Sequence, residues 1–130
     1  MKNKSLKKQL KALQPGDLIS VSWTDASIGK SLGSGLAVDV PAQSWGIFIG
    51  LMGKRNQHIV LAQNNFRYSD GVYDIDYTAI PVSWAVTVNV IDKNHVAKDE
   101  AEILFTSFLR GGRRISTQHK QQKVKNHGSY

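Results

Sequence analysis

The sequence predicts a mainly β domain: a small barrel or strongly bent antiparallel sheet of about five strands, with a short N-terminal helix and a C-terminal helix. Three observations point there. Apolar and polar residues alternate at a period of two in several short runs between residues 17 and 91. A helical period is confined to the two ends, near residues 6–13 and 94–110. No long helix alternates with the strands, which argues against a parallel α/β fold.

The elements follow in order. Leu6, Leu10 and Leu13 stand at i, i+4 and i+7 among lysines and glutamine, one face of a helix that Pro15 and Gly16 stop. A helix of about three turns is marginal alone, so it either docks its leucines on the domain or orders on a partner. Residues 17–23 then read as a strand with Leu18, Ile19, Val21 and Trp23 as apolar members, and the Gly- and Ser-rich residues 24–35 as a loop. Residues 44–51 and 58–63 read as a hairpin around a Gly-Lys-Arg-Asn turn, Gly53 to Asn56. Residues 64–73 are polar, contain Asp70-Gly71, and read as a long loop or a second hairpin tip. Residues 77–91 return to strand composition, broken by Pro81, which cannot donate to a ladder. Beyond the break Trp84, Val86, Val88 and Val90 alternate with Ala85, Thr87 and Asn89. In the last helix, near 94–110, Asp99, Glu100 and Glu102 come early, Arg110 comes last and Gly111-Gly112 follows, which suits the macrodipole and a stop.

At 130 residues and 41% apolar, the chain is long enough for one modest core and too short for two domains. The absence of cysteine excludes disulfides, thiolate metal sites and a cysteine nucleophile. No apolar run approaches the ~20 residues of a membrane helix, and residues 1–13 lack a signal-type core. A soluble, cytoplasmic protein is expected.

Charge is unevenly placed. Residues 14–112 hold seven basic residues and ten acids, a balance of −3, whereas 1–13 and 113–130 hold ten basic residues and no acid. The expected organisation is therefore a basic amphipathic N-terminal arm over 1–13, a domain over 14–112, and a basic tail over 113–130 that is too poor in apolar residues to fold without a partner.

Two resemblances attach to particular motifs. Leu13-Gln14-Pro15-Gly16-Asp17-Leu18-Ile19-Ser20-Val21 resembles the segment entering the first strand of Src-homology-3-type small barrels, and Ala79-Ile80-Pro81-Val82-Ser83-Trp84-Ala85-Val86 is similar to their Pro-containing turn and final strand. The resemblance spans about half the domain and implies the fold; such barrels serve RNA, DNA, peptides and ribosome assembly alike. The aromatic-Asp-Tyr opening that helps build that family's proline-ligand groove has no counterpart before Pro15. Fainter is a likeness of Pro15-Gly16-Asp17-Leu18-Ile19 and Trp45-Gly46-Ile47-Phe48-Ile49-Gly50 to the strand pair of NlpC-type papain-like peptidases. Their histidine is replaced in the neighbourhood of Ser44 and Trp45 and their cysteine is missing, so this likeness implies an inactive relative.

Other motifs fail on context. Gly29-Lys30-Ser31 lacks the earlier glycine of a phosphate-binding loop, Thr24 standing there, and the breaks that follow forbid a long helix. Gly29, Ser31 and Gly33 match a nucleophile elbow, which needs a large parallel sheet. Asp74 and Asp76 share a side if extended, but solvated acids account for them, and His58 and His95 lack metal-pair spacing. His119 and His127 only add charge to the tail at low pH. Trp23, Trp45 and Trp84 read as core or rim packing.

The functional expectation is a non-enzymatic nucleic-acid or ribonucleoprotein-binding protein, with no cofactor, metal or membrane. Lys2, Lys4, Lys7, Lys8, Lys11, Arg113, Arg114, Lys120, Lys123 and Lys125 would neutralise phosphates. Lys54, Arg55, Phe66, Arg67 and Tyr68 would add loop contacts, since aromatics and arginine can stack on bases. The alternative is a protein-interaction module that also offers Leu6, Leu10 and Leu13 to a partner.

Overall fold

In the structure, a computed structural model, residues 2–25, 40–69 and 73–110 are described. Two helices and five strands follow in the order α1 (Lys2–Lys11), β1 (Leu18–Asp25), β2 (Val40–Met52), β3 (His58–Arg67), β4 (Tyr73–Pro81), a one-turn 3-10 helix (Val82–Trp84), β5 (Ala85–Asp92) and α2 (Lys98–Arg110). The strands form one open antiparallel sheet in the order β4-β3-β2-β1-β5, so the fold is mainly β with a helix at either end of the chain. The loop expected over 24–35, the turn dipeptide Asp70-Gly71 and the tail 113–130 fall largely or wholly outside the described residues.

The thirteen-residue β2 joins the two halves of the sheet. Its first half, through Ile47, pairs with β1, and its second half, from Ile47, pairs with β3. Successive residues of β2 face opposite sides of the sheet and both sides are covered here, so Phe48 is 4% exposed and Ile49 2%. Two cores result. On one face Phe48, Ile19, Val21, Ile59, Leu61, Ile80 and Val88 pack with Leu6 and Leu13 of the α1 segment. On the other, Ile49, Val60, Ala62 and Ile75 pack with Leu104 of α2, and Phe108 leans against them. Both helices are thus held by apolar contact rather than by intrinsic propensity.

Several boundaries differ from the sequence expectation, each for a local reason. β2 begins earlier, across Pro41, which is paired with Thr24 on one side while the β3 ladder starts only at Ile47. The missing N–H of a proline is harmless at such an edge position. β3 and β4 run further into residues 64–73, so the second-hairpin reading holds and the long-loop reading does not. In β5 a register shift at Val86 breaks the expected alternation: Ala85 and Val88 are both buried, and Val90 is exposed. Trp84 lies in the 3-10 turn rather than in a strand. α2 starts at Lys98, because Asn94 takes a positive φ of 51° and residues 92–95 form a turn instead.

Gly16 sits where the segments converge. Its φ is +104°, and a Cβ there would come within 2.5 Å of the Val96 carbonyl oxygen. Its N–H donates to the Phe48 carbonyl and its own carbonyl accepts from the Val96 N–H, each at 2.9 Å. Gly16→Ala should therefore lower unfolding free energy by about 2 kcal/mol or more, read from urea denaturation. Ser107 is the opposite case: its hydroxyl is buried in α2 without a partner among the described residues. Ser107→Ala should raise stability by about 1 kcal/mol in the same assay, since it removes an unsatisfied polar group.

Candidate functional site

The docking of α1 decides which of its residues face solvent. Leu6 and Leu13 are 6% and 8% exposed, Leu10 packs against the same cluster, and Lys7, Lys8 and Lys11 are exposed on the outer side. The Gln9 side-chain oxygen accepts the Val88 N–H at 2.8 Å, which ties α1 to β5 and satisfies a donor on the sheet edge. The leucine stripe read as a docking face for a partner is therefore part of the chain's own core.

The expected loop contacts are not brought together. Lys54 and Arg55 are exposed in the turn between β2 and β3, before His58. Phe66 and Arg67 close β3 at its far end, roughly 30 Å away at the rise of an extended strand. Phe66 and Arg67 also point to opposite faces, as neighbours in a strand must. Phe66 (40% exposed) shares its side with Asp74 and Asp76, whereas Arg67 reaches α2 and pairs with Glu100. Tyr68, past the strand end, is exposed. Arg113, Arg114, Lys120, Lys123 and Lys125 lie outside the described residues, as do the side chains of Lys2 and Lys4.

Asp74 and Asp76 share a side, as strand parity requires, and both are engaged. Asp74 accepts the Ile75 N–H at 2.8 Å, and Asp76 accepts from the Asn64 amide at 2.8 Å. His58 Nδ1 lies 2.8 Å from the Asn56 carbonyl oxygen, and His95 Nδ1 lies 2.9 Å from Asp92. Among the described residues no group of His, Asp or Glu is placed to hold a metal ion, and no helix is long and apolar enough to cross a membrane.

The tryptophans divide. Trp23 and Trp84 stack with centroids 6.3 Å apart, and Trp23 Nε1 donates to Ser44 Oγ at 3.0 Å, which is the rim packing expected of them. Trp45 is instead 55% exposed, and Tyr77 is 51% exposed with its ring edge-on to Phe108. Sequence reasoning missed both, because strand alternation around residue 45 does not say which face of the sheet a helix will cover.

The carboxylate with a displaced ionisation is structural. Asp17 is fully buried; burial alone would raise its pKa, but the Asn94 N–H, the Lys93 ammonium and the Gln14 N–H together hold it below the ordinary value. A lowered folded pKa stabilises the fold above the unfolded value of 3.8, and that stability is lost as pH falls through the folded value. The urea midpoint should therefore fall below about pH 4 in the parent chain and respond less in Asp17→Asn, which should be less stable by about 2 kcal/mol at pH 7.

Comparison of this chain with protein-family models, with curated proteins and with solved structures finds no match.

Proposed function

We propose that this protein is a non-enzymatic nucleic-acid or ribonucleoprotein-binding protein that holds phosphates with its basic terminal segments. The observation that carries this reading is the geometry of α1: its leucines are fixed in the core, so Lys7, Lys8 and Lys11 form a cationic ridge on a held element. No acid interrupts residues 1–13. Within the domain, Lys93 is paired with Asp17 and Arg67 with Glu100, while Lys54 and Arg55 are exposed in the turn between β2 and β3 and would add to the contacts of the terminal segments. Such contacts give affinity with little sequence preference and a steep salt dependence.

For the fold we propose the finer reading of a Src-homology-3-like small barrel. Its support is the division of β2 between β1 and β3, the placement of β5 beside β1, and the 3-10 turn between β4 and β5.

Because α1 contributes to the core, removing residues 1–13 would confound binding with folding, and charge reversal is the cleaner test. Fluorescence anisotropy with labelled RNA and DNA should show binding at low salt that weakens steeply as salt rises. Lys7→Glu, Lys8→Glu and Lys11→Glu combined should weaken it at least about tenfold and reduce the salt slope by roughly three. No binding at low salt, or binding indifferent to these reversals and to truncation after residue 112, would sink the proposal.

A further inference from the structure

We propose that the α2-side face of the sheet carries a stacking platform for unpaired bases, centred on Trp45. This rests on the nucleic-acid reading above and gives it a substrate class: single-stranded rather than duplex nucleic acid.

The platform follows from strand register. Ser20 pairs with Trp45 on one side and Asn89 on the other, and Ser22 pairs with Gln43 and Thr87. Directly paired residues share a face, so two rows, Asn89-Ser20-Trp45 and Thr87-Ser22-Gln43, lie side by side. Trp45 is on the α2 side because Ile47, two residues on, packs in the α2 core. α2 itself packs on β4 and β2, away from the β1 and β5 part of this face. Trp45, Gln43 and Asn89 are exposed there, Ser22 and Thr87 are half-buried, and Ser20 is buried between Trp45 and Asn89.

The chemistry of the five that reach solvent is specific. None is charged, two end in amides and two in hydroxyls, and one is an indole. An indole supplies a π-face for any base, and amides can donate to and accept from base edges. The platform is also rigid. The Gln63 amide donates to the Trp45 carbonyl at 3.0 Å where the β3 ladder diverges. At the next residue, Gly46, a Cβ would come within 2.9 Å of the Ala62 carbonyl oxygen. Charge complementarity comes from across the sheet edge: α1 packs on β5, the edge strand that carries Asn89. A chain with its phosphates on Lys7, Lys8 and Lys11 reaches the rows by passing round β5. Duplex bases are stacked on each other and have no free face to offer Trp45.

The test compares a labelled oligothymidylate of about twelve residues with a blunt-ended duplex of about twelve base pairs, by anisotropy at low salt on the full chain. The single strand should bind more tightly and quench tryptophan emission. Trp45→Ala should weaken single-strand binding about tenfold and leave duplex binding unchanged, with Trp45→Phe retaining most of the affinity. Matching circular dichroism among the variants separates this loss from misfolding, and Gln43→Ala should give a smaller loss of the same selectivity. Equal binding of both probes, unaffected by Trp45→Ala, overturns the platform and leaves the cationic reading standing. No binding of either probe by the parent chain overturns the cationic reading, and the platform with it.

Discussion

Asp17 is the constraint on which the arrangement of both helices depends. Its carboxylate is buried and accepts from the Gln14 N–H at 2.9 Å, the Asn94 N–H at 3.0 Å and the Lys93 ammonium at 2.8 Å. Lys93 also donates to the Ala12 carbonyl, and the Asp17 carbonyl accepts the Phe48 N–H. One residue thereby joins the end of α1, the start of β1, the middle of β2 and the turn into α2. A buried carboxylate without such partners would carry a large desolvation penalty, so the bonds and the burial require each other. Gly16 is the companion requirement, since only a residue without a Cβ lets the Val96 carbonyl approach this junction.

From that junction the chain is led to opposite faces of the sheet. α1 arrives on the face of Phe48 and α2 departs on the face of Ile49, the two faces that neighbouring residues of β2 line by ordinary strand alternation. Neither core is large. Each is closed by one helix that contributes a few apolar side chains, which is how a domain of this size covers both sides of a single sheet.

Much of this was legible in the sequence, and the parts that were not have physical causes. The hairpin of β2 and β3, the break at Pro81 and both terminal helices carry strong local signals: period, turn residues and stop residues. The far ends of β3 and β4 carry none, because Asn64, Asn65 and Asp76 line a solvent-facing ribbon and need no apolar alternation. The late start of α2 was illegible for another reason: Asn94 is drawn into a turn by a bond to Asp17, seventy-seven residues earlier. Composition revealed the lysines of α1 and strand pattern located Trp45, but their orientation depends on which faces the helices take. That is a tertiary fact, and the dispersal of Lys54, Arg55, Phe66 and Arg67 is another.

The packing of α1 also changes what its charge can mean. A basic segment detached from the domain would act as a tether whose removal leaves the fold intact. Here the lysines project from a helix whose leucines complete the core, so any polyanion held by that ridge binds the folded state and not the unfolded chain in the same way. Such selective binding stabilises the folded state in proportion to the logarithm of ligand concentration. Mutual repulsion among the lysines of α1 opposes helix formation when no anion is present, and its first turn has no acid to offset the macrodipole. A phosphate chain along the ridge would relieve the first of these terms. Under the proposed function, polyanion binding and the docking of α1 would be two sides of one equilibrium, and stability and affinity should respond together to any change in the helix.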